Sequence, residues 1–177
     1  GYTNSTGVDT VSLGYQALYK STADNNIGIG SGAGYNTAGG GNNTFIGYQA
    51  AYNNTSASFN VALGLRSFYT NTTGQYNTAL GYNALYSNTT ASNNTAVGYQ
   101  SMYNNTTGDG TALGYRALYS ATNRTANTAV GNQALYACVT DENTAVGSLA
   151  LRDTSSGTAN VALGYQAGVL NTTGSYN

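Results

Sequence analysis

The chain has 177 residues with 6% charged side chains and a formal net charge of −1. Soluble domains usually carry about 25% charged residues, yet no run of about 18 apolar residues is present, so membrane insertion is not expected. Five scattered Lys and Arg residues are too few to neutralise a phosphate backbone, which argues against nucleic-acid binding. Disorder requires high net charge as well as low hydrophobicity, so 17 Tyr and near-neutral charge favour an ordered chain.

A Gly preceded by an aliphatic residue recurs along the whole sequence at spacings of 16 or 17 residues. We call these glycines the Gly81 column: Gly14, Gly30, Gly47, Gly64, Gly81, Gly98, Gly114, Gly131, Gly147 and Gly164. Self-similarity at a fixed period is the signature of repeat architectures. The sequence therefore predicts one repeat domain over 1–177, about ten coils long, that starts and ends in mid-repeat and belongs to a longer fibre.

The first predicted element of each repeat is a short strand that ends at the Gly. In the segment T-A-L-G, the small Ala lies between a Thr, which is β-branched aliphatic in some repeats, and an aliphatic residue. This alternation with a period of two residues indicates a strand. The aliphatic positions form the Leu80 column, which we predict to be the continuous structural core: Leu13, Ile29, Ile46, Leu63, Leu80, Val97, Leu113, Val130, Val146 and Leu163.

The second predicted element is a strand over the Q-A-L-Y that follows the Gly, and an N-T-T-G turn completes the coil. The Tyr residues of this segment form the Tyr86 column: Tyr19, Tyr35, Tyr52, Tyr69, Tyr86, Tyr103, Tyr119 and Tyr136. The Tyr directly after the Gly forms the Tyr82 column: Tyr15, Tyr48, Tyr82, Tyr99, Tyr115 and Tyr165. An Asn before the first strand is expected to form a side-chain amide ladder, as in stacked cross-β arrangements.

Helical repeats need about 33 residues or more, so the sequence predicts an all-β parallel β-solenoid, a β-roll or β-helix, with coils of 16–17 residues. Stacked strands are about 4.8 Å apart, which gives a rod of roughly 48 Å. Because one coil of this length encloses a thin core, we expect the chain to associate with itself, as a homotrimer or by end-to-end stacking.

The unit N-T-A-V-G-Y-Q-A resembles the head repeats of YadA-like trimeric autotransporter adhesins and is similar to repeats of phage tail-fibre proteins. The resemblance lies in the aliphatic–Gly–x–x–small pattern, as in Leu80, Gly81 and Ala84. It implies a left-handed parallel β-roll, a homotrimer and a role in surface attachment, outside the cell, on a cell surface or on a virion. The family's coils are shorter than those of this chain.

Catalytic chemistry has little support in the sequence. His is absent, Cys138 is the one cysteine, and the six carboxylates are scattered, so neither a nucleophile–base pair nor a carboxylate pair across a cleft is indicated. We therefore predict no enzyme activity, no catalytic or metal-binding residues and no cofactor.

Two sets of residues are candidates for surface contact or modification. Stacking of sugar rings on Tyr makes cell-surface glycans a candidate partner, through Tyr19, Tyr52, Tyr69, Tyr86, Tyr103, Tyr119 and Tyr136. The N-x-[ST] turns are candidate glycosylation sites, foremost Asn54, Asn71, Asn88, Asn105 and Asn171; the alternative is that they are simply turn formers. The expected function is a structural and adhesive fibre segment, as an adhesin, a phage tail fibre or an extracellular filament. An ice-binding or glycan-binding β-solenoid is the alternative.

Overall fold

The computed structural model describes residues 7–177, and within this range the chain has no helix and ten short strands. The strands are β1 (Val11–Leu13), β2 (Ile27–Ile29), β3 (Thr44–Ile46), β4 (Val61–Leu63), β5 (Thr78–Leu80), β6 (Thr95–Val97), β7 (Gly110–Leu113), β8 (Asn127–Val130), β9 (Thr144–Val146) and β10 (Val161–Leu163). They form a single sheet in sequence order, β1 to β10, and all pair in parallel. The chain is a β-solenoid repeat protein, as the sequence predicts.

Equivalent positions of successive coils lie side by side in the sheet. Thr78 pairs with Thr95, and Leu80 pairs with Val97, one repeat further along the chain. The pairing of Thr95 with Thr111 follows the same scheme across a coil that is one residue shorter. The strand register is therefore constant, and the difference between 16 and 17 residues is absorbed in the segments that connect the strands.

The prediction of a second strand after the Gly is wrong. Gln100 and Met102 have positive φ angles, +53° and +50°, and the left-handed region is incompatible with a strand. The segment is instead a series of turns that bonds to both neighbouring coils. The Asn83 N–H donates to the Leu65 carbonyl at 3.0 Å, and the Leu85 N–H donates to the Ser101 carbonyl at 2.9 Å. These bonds satisfy the backbone without a second sheet.

The core is not the Leu80 column, which contradicts the sequence prediction. Two other columns face each other across the apolar interior. The residue between Thr78 and Leu80 points inward, and Ala79 is fully buried; it packs opposite the residue four positions after each Gly, the Leu85 column. That column contains Leu18, Gly34, Ala51, Phe68, Leu85, Met102, Leu118, Leu135, Leu151 and Gly168, and it is buried from Leu18 to Leu151.

The narrow coil explains this choice of inward face. A Cβ at Gly28 would lie 2.6 Å from Cγ of Leu18, and a Cβ at Gly34 would lie 2.7 Å from Cδ2 of Phe45. Where one column carries a large residue, the facing position is small, so the volume enclosed by a coil stays nearly constant, as close packing requires. A Leu on the inward side of every strand has no space in such an interior.

The Gly81 column has a steric reason to be glycine. Its φ angles lie between +121° and +141°, a region that L side chains rarely adopt. A Cβ at Gly81 would lie 2.4 Å from the carbonyl oxygen of Gly98 in the next coil. The glycines therefore let the chain turn out of the strand while successive coils remain in contact.

The predicted asparagine ladder is confirmed inside the solenoid. The side-chain oxygen of Asn60 accepts bonds from the backbone N–H of Asn77 at 2.9 Å and from its Nδ2 at 3.2 Å. Asn77 Nδ2 also donates to the Ala91 carbonyl at 3.0 Å. The ladder is interrupted where Gly110 takes the Asn position. The amides of this ladder thereby find hydrogen-bond partners in the neighbouring coils, which buried polar groups need.

Candidate functional site

The outward face of the ten-stranded sheet carries a continuous apolar surface along the rod. Because side chains alternate along a strand, the residues on either side of the buried Ala project outward together. The Leu80 column is one row of this face, half-exposed or exposed at every coil; Leu63 and Leu113, for example, are 47% and 46% exposed. A contiguous apolar surface of this kind marks an interaction site.

A second row on the same face, the Thr78 column, mixes hydroxyl and methyl groups. Its members are half-exposed or exposed: Val11, Ile27, Thr44, Val61, Thr78, Thr95, Thr111, Thr128, Thr144 and Val161. We call the two rows together the aliphatic face. Sequence reasoning assigned the Leu80 column to the interior and so missed this surface. The small residue between the two rows was the signal, because a strand that faces a filled interior carries its small side chain inward.

The Tyr86 column is an unbroken stack of eight half-exposed rings. Neighbouring ring centroids are 4.8–5.6 Å apart, and the ring planes differ by 5–15°. The predicted column is confirmed. Since the two neighbours of each inner ring cover both of its faces, a sugar cannot stack there, and glycan contact through the inner rings is limited to ring edges and hydroxyl groups.

Burial within the stack raises the pKa of Tyr52 and of Tyr103, and the neighbouring phenols raise it further. A phenolate in the column would lose hydration and face like charges on both sides. These side chains therefore stay neutral beyond the pH at which a free tyrosine ionises.

Arg116 lies between the two tyrosine columns. Its guanidinium carbon is 5.2 Å from the ring centre of Tyr115 and 5.4 Å from that of Tyr119, and its Nε donates to Oε1 of Gln100 at 2.9 Å. Arg66 repeats part of this arrangement, with Nε donating to Gln49 at 3.0 Å. These cations are held by ring contacts and amides, which support the stacks.

The Tyr82 column is only partly stacked. Tyr82, Tyr99 and Tyr115 stack at 5.1 and 5.4 Å between ring centres. Tyr15, Tyr48 and Tyr165 are exposed, and their neighbouring positions in the column carry Ser31, Leu65 or Ser148. The surface thus carries two populations of tyrosine, one within ring stacks and one without an aromatic neighbour in its column.

Four of the five candidate glycosylation residues lie in the interior, which contradicts that prediction. Asn54, Asn71, Asn88 and Asn105 are fully buried, and Asn171 is half-exposed. Nδ2 of Asn71 donates to Oδ1 of Asn54 at 2.9 Å, and Nδ2 of Asn88 donates to Oδ1 of Asn71 at 2.9 Å. The N-T-T-G segment begins with an inward Asn because its amide closes the turn and bonds to the next coil. An oligosaccharide on this nitrogen is incompatible with the folded coil.

Cys138 occupies the same inward column as Asn88 and is fully buried. Its burial raises the pKa of the thiol, against hydrogen bonds to Thr140 and Asn143 that lower it. The side chain therefore packs as a small neutral residue.

Charged groups do not gather into a site within residues 7–177. No group of three or more His, Cys, Asp or Glu side chains is arranged to hold a metal ion in this range. Asp24 and Asp141 accept backbone N–H bonds from Val8 and Thr125, both at 2.8 Å, and Asp153 pairs with Arg152 at 2.6 Å. The bonds to Asp24 and Asp141 connect neighbouring coils, whereas Asp153 pairs with the residue next to it in the chain.

Comparison with known proteins adds no relative: no family model, curated protein or solved structure shows significant similarity to this chain. Within residues 7–177, no helix is long and apolar enough to cross a membrane. The fold and its exposed columns therefore carry the functional argument.

Proposed function

We propose that this chain is a structural segment of an extracellular adhesive fibre, formed by parallel copies that associate through the aliphatic face. The observation that carries the proposal is the exposure of the Leu80 column along all ten strands. Large aliphatic side chains in regular rows are costly to leave in water, at about 25 cal/mol per Å² of apolar surface. Association of copies removes this cost.

The repeat makes the aliphatic face complementary to itself. Every coil presents a similar pair of outward residues at the same spacing, so parallel copies present matching rows to each other. The strip is roughly 48 Å long and, over the three strand residues from Thr78 to Leu80, roughly 10 Å wide. This gives roughly 480 Å² for each copy, so a pair of copies buries roughly 1,000 Å², the lower end of the range for specific interfaces. Three copies around a common axis would bury one column along the whole rod.

The interior supports a mechanical role. Two columns of side chains, a sheet and turn hydrogen bonds connect each coil to the next, and nearest-neighbour contacts of this kind stabilise solenoids. The rod has few charges. The many backbone hydrogen bonds between successive coils make it stiff, and the number of repeats sets its length. Such a segment holds a receptor-binding part at a distance from its anchor, or presents its own surface for attachment.

Analytical ultracentrifugation tests the association. Wild-type protein is expected to sediment as an oligomer, and the double variant Leu63→Lys/Leu113→Lys is expected to sediment as a monomer with an unchanged circular dichroism spectrum. Both residues are exposed in the single chain, so the substitutions do not disturb its core. Ser56→Lys/Thr90→Lys adds the same charge at exposed turn positions and is expected to leave the oligomer intact.

A monomeric wild-type protein at high concentration, or an unchanged mass in the Leu63→Lys/Leu113→Lys variant, would refute association through this face. Adhesion is measured separately, by binding of the fluorescent oligomer to a glycan array and to cell surfaces. Absence of binding to both would leave a fibre without an adhesive role and contradict that part of the proposal.

An ice-binding solenoid is the second candidate, since six Thr hydroxyls and the Leu80 column project from one sheet face. Regular rows of Thr and methyl groups at the strand spacing can order water. Ice binding requires the aliphatic face to be free, whereas fibre assembly covers it. Thermal hysteresis of dilute, monomeric wild-type protein that disappears on oligomerisation would favour ice binding, and its absence from the dilute wild-type monomer would exclude it.

A further inference from the structure

We propose that the Tyr86 column is a site of oxidative cross-linking, in which phenols of adjacent coils couple to form dityrosine within one chain. The eight rings form the longest aromatic stack among the described residues. Every tyrosine of the column is partly exposed, so an oxidant can reach the stack from solvent. The proposal rests on the geometry of the column and does not depend on association through the aliphatic face.

The chemistry needs a one-electron oxidant, such as a haem peroxidase with hydrogen peroxide or a photo-excited ruthenium complex with persulfate. Each of two phenols gives one electron to the oxidant and its hydroxyl proton to water, leaving two phenoxyl radicals. A carbon–carbon bond forms between ring carbons ortho to the oxygens. The hydrogens on those carbons then move to the oxygens and restore both phenols, so the pair loses two electrons and two protons in total.

The structure supplies the partner that this coupling requires. A radical on Tyr103 has the ring of Tyr86 at 5.1 Å on one side and the ring of Tyr119 at 5.3 Å on the other. Half-exposure leaves room for the rings to turn about their side-chain bonds and bring ortho carbons together. Each link would join residues 16 or 17 positions apart and hold adjacent coils together covalently.

The tyrosines that stack on no other tyrosine provide an internal control. Tyr15 and Tyr165 are 74% and 71% exposed, more accessible to an oxidant than the Tyr86 column, but their neighbouring column positions carry Ser31 and Ser148. Tyr76 stacks on Phe59 at 5.3 Å, and a phenylalanine ring has no phenol to oxidise. Coupling governed by exposure would select these residues, whereas coupling governed by the stack would leave them out.

The test uses photo-oxidation of the full chain at high dilution, tryptic digestion and tandem mass spectrometry. Trypsin cleaves between the members of four of the seven adjacent pairs, for example between Tyr52 and Tyr69 at Arg66 and between Tyr103 and Tyr119 at Arg116. A link in such a pair joins two peptides whose summed mass has lost two hydrogen atoms. An equal mixture of unlabelled and heavy-nitrogen-labelled protein distinguishes links within a chain from links between chains. We expect links between adjacent members of the Tyr86 column without mixed-isotope pairs.

The matched variants are Tyr103→Phe and Tyr165→Phe. The first keeps a ring in the stack but removes its phenol, so links to Tyr103 are expected to disappear while the Tyr52–Tyr69 link remains. The second is expected to change nothing in the map. Absence of dityrosine, a majority of mixed-isotope pairs, or links concentrated on Tyr15, Tyr76 and Tyr165 would each overturn the proposal.

Discussion

Replacing Asn77 by Ala removes one step of the internal asparagine ladder and tests whether that ladder stabilises the rod. The side chain takes part in four hydrogen bonds. Its Nδ2 donates to Asn60 Oδ1 and to the Ala91 carbonyl, and its Oδ1 accepts from the backbone N–H and the side chain of Asn94. At about 1 kcal/mol net for each bond, Asn77→Ala is expected to lower the free energy of unfolding by about 3–5 kcal/mol.

The hydrogen-bond partners of Asn77 do not lose equally on its replacement, so the destabilisation is expected to concentrate at one residue. The Asn60 oxygen keeps the bond from the backbone of residue 77 at 2.9 Å, and the Ala91 carbonyl keeps the bond from Asn88 at 3.1 Å. The buried backbone N–H of Asn94 is left without an acceptor, and a buried unsatisfied donor costs about 1–3 kcal/mol. Amide hydrogen exchange is therefore expected to accelerate most at Asn94.

Urea denaturation followed by circular dichroism measures the free energy, and Asn53→Ala is the matched control. Asn53 accepts one half-buried bond from Asn36 at 3.3 Å, so its replacement is expected to cost less than about 1 kcal/mol. Equal effects of the two substitutions, or unchanged exchange at Asn94, would refute the ladder as a source of stability.

Three further predictions concern the backbone and the tyrosine stack. Gly81→Ala places a Cβ 2.4 Å from the Gly98 carbonyl oxygen at φ +140° and is expected to cost about 3 kcal/mol or more in urea denaturation; a cost below 1 kcal/mol would contradict the observed close approach. Gln133 has a φ angle of +53°, so Gln133→Gly is expected to change the free energy of unfolding by less than about 1 kcal/mol, whereas Gln133→Val is expected to lower it by about 1–3 kcal/mol. Equal thermal midpoints for the two variants would contradict this. Because the pKa of Tyr52 and of Tyr103 is raised on folding, their contribution is complete below the ordinary tyrosine pKa of 10.0 and is lost as pH rises through it towards the folded pKa. Stability measured against pH is expected to fall there, and the fall is expected to be smaller in Tyr52→Phe/Tyr103→Phe; an equal fall would contradict the cause.

The repeat and its first strand were accessible from the sequence, because a Gly and an alternating triplet recur at nearly constant spacing. Which side of that triplet faces inward was predicted wrongly. Hydrophobicity favoured Leu80, but the interior of a 17-residue coil already contains Leu85, and only Ala79 fits opposite it. The exchange of sizes between Gly34 and Phe45 is visible in the sequence and indicates which positions face each other.

The backbone conformation of the segment after each Gly could not be predicted from its residue types. Gln100 and Met102 adopt left-handed backbone angles although neither residue type favours them. Hydrogen bonds to the coils on both sides determine the conformation, so it exists only in the stack. The inward Asn71 was equally hidden, since its N-T-T-G segment is typical of surface turns, whereas its side chain bonds to Asn54 and Asn88 in the neighbouring coils rather than to water.

Thiol labelling of single cysteines tests the central claim, that the Leu80 column faces outward and is covered by other copies of the chain. In a Cys138→Ser background, Leu80→Cys is expected to react rapidly with a maleimide in dilute protein and slowly at concentrations where the oligomer forms. Ala79→Cys is expected to react slowly in both conditions, because this position is fully buried. Rapid labelling at residue 79, together with protection of residue 80 at every dilution, would place the aliphatic column in the core and contradict the account.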